Sequence, residues 1–194
     1  MYSPKHYDTQ NENLILRIVK ENKFATLISG DEVSHLPLLL DRGDRLIGHM
    51  ARANPQWKTF PGKTLSIFQG PHGYISPAWY NEAADNVPTW NYVAVHVRGE
   101  ARVIQSIDAV FETMETLVKT NEEFYGTGWE LKRNTDLEKL SRAIVAFEIT
   151  DLTFPGKLKL SQKIAPDEHA RVVENLDTLG NASLAEWMRL TKPS

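Results

Sequence analysis

The stretch Gly48-His-Met-Ala-Arg-Ala-Asn-Pro-Gln-Trp-Lys58 puts a guanidinium, an ammonium, two amides and an indole into one short run. Arg52 is a forked, permanently charged donor and Lys58 a second cation, the combination a phosphate dianion requires. Asn54 and Gln56 add donors and acceptors, and Trp57 adds a flat apolar surface. A second run, Gly70-Pro-His-Gly-Tyr-Ile-Ser-Pro-Ala-Trp-Tyr80, is answered by Val87-Pro-Thr-Trp-Asn-Tyr-Val-Ala-Val-His96. Its prolines fix the backbone around Ser76, while Trp79, Tyr80, Trp90 and Tyr92 supply large stiff surfaces with polar edges. Together these residues suit a planar, polar ligand. An isoalloxazine ring needs both donors and acceptors along its edge, and Asn54, Gln56, Asn91 and Gln162 carry them. The plain alternative is a solvated turn followed by a packed, Pro-punctuated β-loop, since aromatics serve cores before cofactors.

Several other chemistries are disfavoured. The chain has no Gly-x-Gly-x-x-Gly turn, P-loop, His-Glu-x-x-His or Gly-x-Ser-x-Gly elbow. It has no cysteine, which excludes disulfides, thiolate nucleophiles and cysteine-ligated metals. His35, His49, His72 and His96 stand at no recognised ligand spacing, so no metal is expected, and His49 and His96 read as pocket or core residues. Asp41-Arg42-Gly43-Asp44 reads as a turn. The formal net charge of −3 gives no footprint for a polyanion. From Pro166 to Ser194 five acids face three bases, Arg171, Arg189 and Lys192, which makes a poor DNA-recognition element. The N-terminus has no apolar run and no apolar stretch exceeds strand length, so neither a leader nor a membrane span is expected, and a cytoplasmic address follows.

The elements that must position these residues follow from hydrophobic period. Leu14, Ile15, Ile18 and Val19 predict a helix over about 9–22, capped from Asp8 or Thr9. Phe24–Ser29, Leu36–Leu40, Leu46–Ala51 and Thr64–Gln69 predict an antiparallel meander separated by Gly/Asp/Pro turns. Asn91–Ile104 predicts a long strand with a bend at Gly99, Ser106 opens a helix, and Ala143–Phe154 returns to strand. Thr120–Thr135, with Gly126 and Gly128, reads as a flexible connection. Pro166 starts a helix that Gly180 stops, and Ser183-Leu-Ala-Glu186 is a capping-box pattern for another. The pattern is α+β, an antiparallel barrel or strongly curved sheet with flanking helices.

The motifs Gly48–Lys58, Phe68–Tyr80, Val87–His96 and Lys159-Leu-Ser-Gln162, with Met1-Tyr-Ser-Pro-Lys-His and Leu36-Pro-Leu-Leu-Leu-Asp41, closely resemble the PaiB-type family of FMN-binding negative transcriptional regulators. The resemblance implies an FMN-binding split barrel over residues 1–160 with a C-terminal helical extension, 161–194, packed on it. It also implies a homodimer with FMN at the subunit interface. Carried onto this chain, the phosphate falls to Arg52 and Lys58, with Ser66 and Ser76 as lesser candidates. The ring side falls to His49, Asn54, Trp79, Trp90 and Asn91, Gln56 and Trp57 of the 48–58 turn are further cofactor-binding candidates, and the closing motif adds Lys159, Ser161 and Gln162. That motif departs from the family's Lys-Leu-Ser-Gln-Asn, since Lys163 follows Gln162 and Leu158 replaces an aromatic. Repression through DNA fits the family label but not the acidic charge. The alternatives are an FMN-dependent oxidoreductase of the pyridoxamine-phosphate-oxidase-like class and a haem-binding or haem-degrading split barrel.

Overall fold

The helical signal at Leu14–Val19 becomes α1, Glu12–Glu21, in the computed structural model, which describes residues 1–81 and 86–191. It starts later than the periodicity suggests because Asp8–Thr9 forms a short strand, β1. Thr9 still serves the helix entry, its hydroxyl accepting the Asn11 N–H at 3.2 Å. Alternating residues then form β2 (Phe24–Ser29), β3 (Glu32–Asp41) and β4 (Arg45–Ala51). After a 3-10 turn at Pro55–Thr59 come two long strands, β5 (Gly62–Ile75) and β6 (Thr89–Val103). β5 absorbs Gly70–Ile75, so much of the aromatic run is strand rather than loop.

Ser106 precedes α2, Ile107–Tyr125, as expected. Residues 120–125 are the last turns of that helix, which ends where Gly126 takes φ +67°, a left-handed conformation open to glycine at no steric cost. The connection also holds a helix absent from the sequence reading, α3 (Thr135–Ser141), capped by Asn134 Oδ1 accepting from Asp136 and Leu137. β7 (Ile144–Thr153) and β8 (Gly156–Lys159) follow, then α4 (Pro166–Thr178) and α5 (Ala182–Leu190). The Ser183/Glu186 capping box is not used: α5 begins at Ala182, with Asn181 at its cap.

The eight strands form one sheet in the order β1-β8-β6-β5-β2-β3-β4-β7, and an additional β6–β7 pairing closes six of them into a ring, the split barrel. The chain separates into two compact units interleaved in sequence, one of residues 1–21, 69–95 and 155–194, the other of residues 22–68 and 96–154. β5 and β6 each run from one unit into the other.

In the unit made of 22–68 and 96–154, Leu46, Gly48 and Met50 of β4 stand opposite Ile149, Phe147 and Val145 of β7. Paired residues share a face, and these form a buried row. Gly48 is needed there, because a Cβ would lie 2.7 Å from Leu38 Cδ2 and 3.1 Å from Phe147 Cζ. In the unit made of 1–21, 69–95 and 155–194, Val93 and Val95 of β6 oppose Leu158 and Gly156 of β8, all buried. α4 and α5 cover that face: a Cβ on Gly73 would meet Asn181 Nδ2 at 2.8 Å and Leu184 Cδ2 at 3.0 Å. α1 docks on α5 through the Arg17 guanidinium, 4.9 Å above the fully buried Trp187 ring. Lys192, counted among the C-terminal bases, lies outside the described residues.

Candidate functional site

The predicted site residues divide between the two units. In the barrel unit, β4 carries His49 to a position opposite Ala146. Its Nδ1 is buried without a hydrogen-bond partner, and burial holds its pKa below the ordinary histidine value, so the ring is neutral near pH 7. The chain then leaves the strand at Arg52, whose N–H donates to the Ala143 carbonyl at 2.8 Å. Its guanidinium donates through Nε to Arg142 O at 2.6 Å and through Nη2 to Ile144 O at 2.8 Å. The Nη1 end carries no protein hydrogen bond among the described residues, and the residue is exposed. Trp57 closes the turn, its indole N–H donating to Arg52 O at 2.9 Å.

Asn54 caps the 3-10 turn, its Oδ1 accepting from Gln56 N at 2.9 Å while Nδ2 donates to Ser34 Oγ at 2.7 Å. Gln56 is fully buried and donates through Nε2 to Leu27 O and Glu32 O, at 3.0 and 3.1 Å. Ser66, also fully buried, stands opposite Leu27 in the ladder. Gln56 and Ser66 therefore belong to the interior of this unit, whereas Lys58 is exposed with no protein partner among the described residues.

In the other unit Ser76 caps a 3-10 turn at Pro77–Trp79, its Oγ accepting from Ala78 N at 3.2 Å. Trp79 is half-buried there. Tyr80 is buried, which pushes its phenol pKa up, with a smaller opposing effect from its hydrogen bond to Ser161. Asn91 is fully buried: Nδ2 donates to Ser161 Oγ at 2.9 Å, and Oδ1 accepts from the same hydroxyl at 3.1 Å. Ser161 sits at φ +58°, a left-handed conformation unusual for a serine. Gln162 folds back on its own strand, accepting from Leu160 N at 2.9 Å and donating to Leu158 O at 2.6 Å. Asn91 and Ser161 thus hold each other, while Gln162 holds backbone groups of its own segment. Lys159 donates to the Thr89 hydroxyl and to Trp90 O, and burial lowers its pKa. Trp90 is 54% exposed, with Tyr74 packed edge-on at 6.1 Å between ring centres and His72 tilted at 6.4 Å.

One charged residue escaped the sequence reading. Lys157 is only 8% exposed, with its ammonium 5.3 Å from the Tyr92 ring centre and donating to Tyr2 O at 3.1 Å. Its signal was its spacing: in a strand, Lys157 and Lys159 point to the same face.

Chemically, the barrel unit offers an unengaged ammonium at Lys58, an open guanidinium end at Arg52 and an orphaned, uncharged imidazole nitrogen at His49. That donor set fits a phosphate monoester attached to a ring with polar edges.

Residues 1–150 match the model of the family described as "Putative FMN-binding domain". The chain is 33% identical over 201 residues to "Protease synthase and sporulation protein PAI 2" of Bacillus subtilis (strain 168), covering 98% of this chain and 96% of that protein. Among solved structures it is similar to the flavocytochrome Anf3 from Azotobacter vinelandii, with TM-score 0.64, 14% identity, and 87% of this chain and 78% of that chain covered. It is also similar to the FAD and heme binding protein from Mycobacterium smegmatis, with TM-score 0.57, 16% identity, and coverage of 84% and 77%. At these identities the structural matches establish the fold.

Proposed function

Because the chain belongs to the PaiB-type family of FMN-binding regulators, we propose that it holds FMN with the phosphate on Lys58 and the open end of Arg52. His49, Asn54 and Trp57 stand beside the ring. The observation that carries this reading is the exposed, unengaged Lys58 ammonium in the same turn as Arg52. A phosphate dianion between them gains charge-assisted hydrogen bonds that water alone supplies otherwise. His49, kept neutral by burial, contributes a hydrogen-bonding edge without a third positive charge. Bound FMN supplies electron transfer, while the residues named here bind and orient it.

Gln56, Ser66, Asn91, Ser161 and Gln162 serve this reading as framework: each is fully buried or fastened to its own unit. The assembly is a cytoplasmic homodimer with flavin at the subunit interface. DNA contact runs through a partner or a local patch rather than through α4 and α5, whose surface is acidic on balance. None of the described helices is long and apolar enough to cross a membrane.

The test is a visible absorption spectrum of the purified protein, recorded after adding FMN and removing the excess, with sedimentation analysis alongside. A retained flavin spectrum on a dimer is the expected result. A folded protein that retains none overturns the assignment.

A further inference from the structure

We propose that the face of β5, β6 and β8 opposite the helix-covered side, in the unit 1–21/69–95/155–194, binds a planar phosphate monoester, with Lys157 and Lys159 on the phosphate and Trp90 under the ring. This rests on the preceding reading in one respect: the FMN phosphate is assigned to Arg52 and Lys58, which leaves this face for a second ligand.

The register defines the face. Tyr92 stands opposite Lys159 and Ala94 opposite Lys157, so Trp90, Tyr92 and both lysines point to the same side. The helix-covered side belongs to the alternate residues Asn91, Val93, Leu158 and Leu160, all buried. His72 and Tyr74 of β5 reach the Trp90 ring on the opposite side, which makes a continuous aromatic strip beside two ammonium groups.

The electrostatics of the face are incomplete without an anion. Lys157 is 92% removed from solvent and Lys159 half-buried, yet neither forms an ion pair with a carboxylate among the described residues. Asp8 stands opposite Lys157 in the β1–β8 ladder, but its carboxylate accepts from the Gln10 amide at 3.1 Å and makes no ion pair with the lysine. Lys157 instead lies over Tyr92 and, at 5.8 Å, over Tyr2. A desolvated ammonium without a counter-charge is costly, and two side by side repel each other. A monoester dianion brings two negative charges to two positive ones, which a carboxylate does not.

The ligand's ring has a platform of its own. Exposed aromatics on a sheet, flanked by lysines, stack planar rings with little demand on their identity. The ammonium of Lys159 is already fixed by the Thr89 hydroxyl and the Trp90 carbonyl at 2.9 Å, which ties the charge to the strand that carries the stacking ring.

The experiment is calorimetric titration of the full chain, with and without FMN, using 1-naphthyl phosphate, 1-naphthoate and 1-naphthol. Naphthyl phosphate is expected to bind in both states, naphthoate about tenfold more weakly and naphthol about 100-fold more weakly, on the scale of charged hydrogen bonds. Lys159→Gln and Lys157→Gln should each weaken naphthyl phosphate by about tenfold or more, and Trp90→Ala by roughly fivefold to tenfold. Lys159→Gln, at the more exposed position, keeps the test readable if Lys157→Gln fails to fold. Naphthol binding as tightly as the phosphate, naphthoate matching it, or unchanged affinity in the lysine variants overturns the proposal. So does one-for-one displacement by FMN, which moves the flavin to this face. Absence of binding to a dimer that Trp90→Glu splits into monomers also overturns it, by assigning the face to a second copy of the chain. Failure of FMN to bind leaves the titration without FMN intact, so the two readings fail separately.

Discussion

In the turn after β4 the Gln56 amide points into the protein while Arg52 and Lys58 stay outside. Around β8 the Asn91 amide is again internal, but here the cations, Lys157 and Lys159, are drawn into a sheet face among aromatic rings. The same residue types therefore do two jobs. Gln56 and Gln162 satisfy backbone groups, and Asn91 satisfies the Ser161 hydroxyl. The cations differ by environment. Arg52 is already half engaged by carbonyls and Lys58 is solvated, so an anion there displaces water. Lys157 has lost most of its water already. Burial, rather than residue type, distinguishes the two sets of side chains.

That contrast breaks most visibly in the cores. Trp187→Ala empties a fully buried site in α5 and is expected to cost about 3–5 kcal/mol in denaturant unfolding. A loss below 1 kcal/mol would mean that α5 is not anchored through this ring. Gln56→Ala leaves the Leu27 and Glu32 carbonyls short of a donor and should cost about 2–4 kcal/mol without altering the affinity of the other unit for naphthyl phosphate. Should flavin binding vanish while stability holds, Gln56 belongs to the ligand site instead.

Ser161 sharpens the comparison at smaller scale. Ser161→Ala removes the contact with Asn91 and keeps the left-handed backbone, at about 1–2 kcal/mol, whereas Ser161→Gly loses the same contact but relaxes the backbone by roughly 1 kcal/mol. Equal stabilities for the two variants would argue against strain at φ +58°.

The pH dependence follows from three histidines. His49, His96 and His169 all have folded pKa values below the usual 6.5, with burial the leading cause. The unfolded chain therefore binds protons that the folded one refuses. Stability is full above pH 6.5 and falls as pH drops below it, and His169→Gln should flatten that slope in a urea series at several pH values. A slope that stays the same removes His169 from the account.

The sheet was legible because strand period and turn residues agreed: β2 and the start of α4 fall where the alternation and Pro166 put them. The extension of β5 through Pro71 and Gly73 was not, since proline and glycine signal turns locally and only the covering helices justify strand there. The capping box at Ser183 failed for a related reason: packing of Leu184 and Trp187 sets the start of α5, with the cap passing to Asn181. At the candidate site the sequence identified Arg52, Lys58 and His49 as chemistry-bearing side chains. It did not show that Gln56, Ser66 and Asn91 are buried while Lys58 is exposed, because nothing local distinguishes a buried amide or hydroxyl from an exposed one. Lys157 was missed because its role depends on register with β6, a long-range property.

The most direct measurement compares FMN with riboflavin, which lacks the phosphate, by calorimetry on the wild type and on the Arg52→Ala/Lys58→Ala double variant. Two charged contacts of about 1.5–3 kcal/mol each predict that the wild type prefers FMN by roughly 100-fold or more and that the double variant loses most of that preference while still binding riboflavin. An FMN preference of the same size in both proteins would contradict the account and place the phosphate elsewhere.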